Sequence, residues 1–168
     1  MDITTLNLLT NMVLIIILLI FVIGMYRSKK PVVRFYCEKH NRPRKAHPSD
    51  SGYDVYANSI TDDGNVLTIG TGVRAEVPEG YEIQARSRSS IYKHGLILCN
   101  GVGTIDEAYT GEIKFMFYQY DKRKPNYAIG DRIGQLVIVK KSEESVEYPS
   151  GEPTPRERKG GFGSTGKR

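Results

Sequence analysis

Cysteine is scarce: Cys37 and Cys99 are the only two among 168 residues. Two thiols so far apart give neither a disulfide framework nor a cysteine-ligated metal site. A cytosolic domain would keep both reduced. Histidine is almost as rare, and His40, His47 and His94 show no metal-ligand spacing, so they read as surface residues. After residue 30 no stretch holds a helical period over three turns, which excludes a helical fold for most of the chain. There is no internal repeat, and no low-complexity segment apart from the C-terminal tail. An excess of positive charge across the folded part is also missing. The whole chain is +5, but residues 27–45 hold eight Lys/Arg against Glu38 alone, a segment charge of +7 that leaves −2 for the rest. A near-neutral domain is a poor match for a phosphate backbone, so no nucleic-acid partner is expected.

From Ile3 to Tyr26 there is no charged residue at all. Residues 12–25 are continuously apolar, and Leu6, Leu8 and Leu9 extend the run backwards. A bilayer core needs ~20 such residues as helix. Residues 6–26 are therefore expected to form a single transmembrane helix in contact with membrane lipid. Arg27, Lys29 and Lys30 follow at once. The positive-inside rule puts that side in the cytoplasm and residues 1–5 outside. A cleaved signal peptide is the alternative. It would carry a basic start and a small-residue cleavage site, whereas this run begins with Asp2 and ends Gly24-Met25-Tyr26-Arg27. A run apolar on every face does not suit a half-buried core helix.

The remainder reads as a basic linker and first strand (27–47), a β domain (48–150) and a flexible C-terminal arm (151–168). Val32 to Tyr36 has β-type composition, while residues 42–45 resemble a loop. Strand-like runs follow at 53–57, 66–69, 73–77, 81–85, 96–98, 112–119 and 132–140. Residues 62–65 and 78–80 are turns on composition. Apolar residues recur at Ile113, Phe115 and Phe117, the period of two of a strand. Short strands with this punctuation predict an all-β sandwich or barrel.

Five segments carry chemistry beyond folding. The tail holds Gly160, Gly161, Phe162, Gly163, Ser164, Thr165 and Gly166. Glycines let backbone N–H groups approach a ligand, hydroxyls add donors, and an exposed ring can stack on a base. The composition reads either as a flap for a base- and phosphate-bearing ligand or as a disordered tail. Gly52-Tyr53-Asp54 places an acid at an apolar strand start. Arg86-Ser87-Arg88-Ser89-Ser90 gathers two guanidinium groups and three hydroxyls, a good phosphate grip. Residues 100–111 form a hairpin-like segment with Asn100, Asp106 and Tyr109. Gly130-Asp131-Arg132-Ile133-Gly134-Gln135 is a turn entering a strand. Each alone is weak: Asp54 could cap a turn, Arg88 could form a surface ion pair, and Asp131 and Arg132 could pair with each other.

In this order and spacing the five segments resemble the motifs of the homotrimeric dUTPase family, over residues 32–168. The resemblance implies an all-β, jelly-roll-type β-barrel behind the single transmembrane helix. It implies hydrolysis of dUTP to dUMP and pyrophosphate with Mg²⁺, and a homotrimer with shared active sites. Asp106 would be the catalytic general base that activates a water. Asp54 would touch the metal through water, since Mg²⁺ keeps several of its own waters. Arg88, Ser89, Ser90 and Gln135 would hold phosphates. Asn100, Gly103, Thr104 and Ile105 would line the uracil, and Tyr109 would stack under the deoxyribose and exclude a 2′-hydroxyl. Lys114 lies where the family often adds a substrate contact. Phe162 would cover the base while Gly163, Ser164 and Thr165 reach the phosphates.

Two positions depart from the family pattern. Glu157 stands where its tail usually has Arg, and a one-residue shift would let Arg158 serve. Ser87 replaces the usual proline before Arg88. Two other readings share many of these residues: a dCTP deaminase of the same fold, which also has an Arg-Ser-Ser signature, and a non-catalytic dUTP-sensing membrane protein. The hairpin with Asp106, Tyr109 and Gly111, together with the tail, favours the dUTPase.

Overall fold

The computed structural model describes residues 2–26 and 30–151. The roles expected of Arg158, Phe162, Gly163, Ser164 and Thr165 lie outside the described residues.

The uncharged run forms one helix, α1 (Ile3–Tyr26), which starts three residues before the expected 6–26. At ~1.5 Å per residue it is about 36 Å long. The stretch Ile3–Gly24 contains an 18-residue window of mean hydropathy 2.8, none of which is buried. The Thr10 hydroxyl donates to the Leu6 carbonyl at 2.7 Å, so this polar group is satisfied inside the helix.

Ten strands follow among the described residues: β1 (Arg34–Tyr36), β2 (Gly52–Tyr56), β3 (Ser59–Asp62), β4 (Val66–Gly70), β5 (Arg74–Glu76), β6 (Tyr81–Ser87), β7 (Leu96–Leu98), β8 (Gly103–Ile105), β9 (Lys114–Gln119) and β10 (Arg132–Lys140). They pair antiparallel in two four-stranded sheets, β2-β10-β6-β8 and β3-β4-β9-β7, and a two-stranded one, β1-β5. The all-β, jelly-roll-type expectation holds for the domain. Both large sheets feed one core. Val55, Ile83, Ala85, Ile133 and Leu136 come from the first, and Leu67, Ile69, Leu96, Phe115 and Phe117 from the second. Along β9 exposure alternates residue by residue, with Phe115 and Phe117 inward, as the period of two requires. Gly134 makes this packing possible: a Cβ there would sit 2.7 Å from Cζ of Phe115 and 2.8 Å from the Arg86 carbonyl.

Local chemistry sets the turns. The Tyr81 N–H donates to the Pro78 carbonyl at 3.1 Å, and Gly80 has φ +77°, the geometry of a type II turn. Asp63 closes the β3–β4 hairpin turn by accepting from the Val66 N–H at 2.7 Å, with Gly64 at φ +94°. Three readings needed correction. Residues 42–45 are not merely loop, because Arg44 exchanges both backbone hydrogen bonds with Asp54 (2.8 and 3.2 Å). Strands β3 and β8 were not anticipated. The first is a mostly exposed edge strand and the second only three residues long. His94 is no free surface residue: its ring stacks on Tyr127, with centroids 4.1 Å apart.

Candidate active site

The sequence motifs converge on the sheet β2-β10-β6-β8. In its register Asp54, Gln135 and Arg86 lie opposite one another across three strands. Residues directly opposite in a ladder share a face. Their neighbours Val55, Leu136 and Ala85 are buried, so the polar row faces away from the core. Gly52 gives Gln135 its room, since a Cβ on Gly52 would lie 3.0 Å from the Gln135 Cβ and 3.1 Å from its Cδ.

At one end of this sheet the guanidinium groups gather. The register between β2 and β10 shifts between Arg132 and Gly134, an irregularity of the kind that re-aims a side chain. The Arg132 guanidinium donates to the Asp54 carboxylate at 3.0 Å. Asp131 does not pair with Arg132; its carboxylate accepts from the Ala128 N–H at 2.8 Å and closes the turn. Arg88 donates to the Arg132 carbonyl at 3.3 Å. A cavity of about 390 Å³ opens here, lined by Tyr56, Arg88, His94, Tyr127, Asp131 and Arg132 among others. Tyr127 belongs to the core at 5% exposure, and its hydroxyl has no partner among the described residues. Burial pushes that phenol up from its ordinary range. Ser89 is exposed and Ser90 half-buried, in the turn that leads from Arg88 into a short 3₁₀ helix, Ile91–His94. Neither Tyr127 nor His94 was picked out as a site residue. Only the paired Arg88 and Arg132 motifs could have signalled this wall.

At the other end β8 and the segment leading into β9 enclose a second cavity of about 210 Å³. Asn100, Gly103, Thr104, Ile105, Tyr109 and Lys114, all expected at the site, line it together with Ala85, Glu112 and Ile113. Gly101 turns the chain with φ +67°. The Tyr109 N–H then closes a turn onto the Asp106 carbonyl at 3.1 Å. The Tyr109 hydroxyl donates to the Glu112 carbonyl at 2.9 Å. Gly111 makes way for the ring: a Cβ there would lie 2.6 Å from the Tyr109 hydroxyl.

Asp106 follows the buried Ile105 directly and is itself exposed. Its neighbour Glu107 has a different fate. The Lys141 ammonium donates to Glu107 at 2.7 Å, and the Gly80 N–H at 3.1 Å. That hydrogen bond from Lys141 holds the Glu107 carboxyl below the usual carboxylate range and the Lys141 ammonium above its own. Of two adjacent acids, one is committed to an ion pair and the other is presented to solvent. An exposed carboxylate within hydrogen-bond reach of a water can orient and deprotonate it. Among the described residues no group of three or more His, Cys, Asp or Glu could cage a metal.

The dUTPase family model matches residues 38–166. The chain is 40% identical over 131 residues to the deoxyuridine 5'-triphosphate nucleotidohydrolase of Finegoldia magna, covering 74% of this chain and 90% of that protein. It is 36% identical over 141 residues to the Clostridium tetani enzyme of the same name, covering 80% and 95%. Among solved structures it is similar to the dUTPase of Staphylococcus bacteriophage 80alpha with dUPNHPP, at 25% identity and TM-score 0.65, covering 80% of this chain and 98% of that one. α1 precedes all of the region the family model matches. On its motifs, its fold and these likenesses, the chain belongs to the dUTPase family.

Proposed function

We infer that the chain hydrolyses dUTP to dUMP and pyrophosphate, removing dUTP and supplying dUMP. The observation that carries this reading is the cavity between β8 and β9. Six residues expected to contact substrate line it, and the exposed Asp106 directly follows one of them, Ile105. Asp106 orients a water and accepts its proton as the water attacks the α-phosphorus. Asn100, Thr104 and Ile105 receive the uracil edge, where a cytosine would leave a buried polar group unpaired at ~1–3 kcal/mol. Tyr109, fixed by Glu112 and Gly111, lies under the deoxyribose and leaves no room for a 2′-hydroxyl. Arg88, Ser89, Ser90 and Gln135 bind phosphate oxygens, and Lys114 adds a cation at the cavity rim. Phe162, Gly163, Ser164, Thr165 and Arg158 complete the site from the tail.

The donor set fits a magnesium ion carried by the substrate. Asp54 offers one hard carboxylate whose Oδ2 accepts from Arg132, and Mg²⁺ needs few protein ligands because it retains waters. When bound, the ion supplies neutralisation of charge on the departing pyrophosphate.

The protein acts as a homotrimer with shared sites. Membership of the dUTPase family supports this assembly, and within one copy the cavity around Arg88 and the cavity around Tyr109 have no lining residue in common. α1 spans a membrane with residues 1–5 outside and the β domain in the cytoplasm. Its length, its lack of charge and the basic segment after it support that orientation. The test is pyrophosphate release by the full chain with Mg²⁺ and dUTP, dCTP, dTTP or UTP. Release from dUTP alone is expected. Ammonia release from dCTP, or dUTP binding without turnover, would replace the reading.

A further inference from the structure

Glu112 lines the nucleoside cavity yet has no part in the chemistry described so far. Its backbone carbonyl is the acceptor on which the Tyr109 hydroxyl rests, at 2.9 Å. Its carboxylate accepts from the Gly72 N–H at 2.8 Å, in the turn between β4 and β5. Lys114 lies 3.6 Å from the same carboxylate, which is about a quarter exposed. One glycine makes space for it and another turns the chain toward it. A Cβ on Gly70 would lie 2.6 Å from its Oε1, and Gly72 turns the chain with φ +67°. Next door, Ile113 donates to the Val73 carbonyl at 2.8 Å and accepts from the Thr71 hydroxyl at 2.7 Å. The wall that carries Tyr109 is therefore stapled to a turn of the opposite sheet, and Glu112 is the charged member of the staple nearest the ring. A half-exposed tyrosine on a short loop would otherwise sample rotamers freely, and shape discrimination needs a fixed wall.

We propose that Glu112 is a specificity-determining positioning residue: by anchoring on Gly72 and Lys114 it fixes the carbonyl that holds Tyr109, and so sets rejection of ribonucleotides. This rests on the reading of Tyr109 as the sugar-facing ring of a dUTP-hydrolysing site. Glu112 touches no reacting atom, so its loss acts on selectivity and KM rather than on kcat.

The experiment measures kcat and KM of the full chain for dUTP and UTP in wild type, Glu112→Ala, Glu112→Gln, Tyr109→Phe and the Glu112→Ala/Tyr109→Phe double variant, with a melting curve for each. Glu112→Ala lowers the dUTP-to-UTP preference about tenfold, with kcat for dUTP kept. Glu112→Gln retains an acceptor for Gly72 and restores most of the preference. Tyr109→Phe, which leaves Glu112 in place and tests the same link if Glu112→Ala melts early, loses preference to the same extent. The double variant loses no more than either single, because both cut one chain of contacts. An unchanged preference in Glu112→Ala, or additive losses in the double variant, would overturn the proposal while leaving the dUTP-hydrolysing reading intact. Absence of dUTP turnover in the wild type would overturn both.

Discussion

The two ends of the sheet β2-β10-β6-β8 solve different problems. The end proposed to hold the nucleoside is shaped mainly by backbone. Gly101, Gly103 and Gly111 and the short strand β8 hold its walls, and the Tyr109 ring is fixed by a carbonyl rather than by a charge. The guanidinium end is held by charge: Arg132 is already engaged with Asp54, and Arg88 leans on the Arg132 backbone. A neutral, flat base is recognised by shape and by directional hydrogen bonds, which a rigid backbone supplies. A triphosphate is recognised by charge, and cations waiting for it need interim partners. The nucleoside end should therefore be sensitive to small steric changes, and the guanidinium end to loss of charge.

The largest effect falls at Asp106, which directly follows the cavity-lining Ile105. Asp106→Asn keeps size and removes the base, so kcat for dUTP should drop by about 10²–10⁴-fold. Binding of dUTP, followed by calorimetry, should persist. Next is Arg88→Ala. A charge-assisted hydrogen bond contributes about 1.5–3 kcal/mol, so KM should rise roughly ten- to a hundredfold. Release of dUMP at saturation should change far less. Gly111→Ala probes the other end. Its new methyl group meets the Tyr109 hydroxyl, so the ring must shift. UTP should gain relative to dUTP by roughly tenfold in kcat/KM, whereas Ser89→Ala should leave that ratio alone.

The smallest effect concerns the outlying pair of Glu107 and Lys141. Glu107 is held below its usual range, so its contribution is present above that range and fades as pH falls through its lowered value. Lys141 is held above its own range, so its contribution lasts until alkaline pH overtakes its raised value. Melting temperatures of wild type and Glu107→Gln should differ slightly at neutral pH, converge in acid, and approach each other in high salt.

Much of this was legible in the sequence because its signals are local. Residues 112–119 announce β9 through a period of two, the uncharged run announces α1, and Gly80 and Gly64 announce their turns. Six residues expected to contact substrate line one cavity, because five of them lie within residues 100–109 and are neighbours along the chain. What escaped depends on pairing across the sheet. Arg44 looks like loop until it bridges Asp54 across ten residues of sequence. β8 is three residues of ordinary composition that become a strand only against β6. Tyr127 and His94 acquire a role by stacking on each other, 33 positions apart. Glu112 is an unremarkable acid until Gly72 folds back on it. The ion pair of Arg132 with Asp54, rather than with the adjacent Asp131, has the same long-range origin.

The central claim is that the two ends belong to one site completed between copies of the chain. Complementation tests it most directly. Asp106→Asn damages only the nucleoside end and Arg88→Ala only the guanidinium end. Co-assembled in mixed oligomers, the two variants should regain dUTP hydrolysis at low substrate well above the sum of their separate activities, because some sites then draw an intact end from each. Activity equal to that sum, in oligomers shown to contain both variants, would mean that each chain builds its own complete site and would contradict the account.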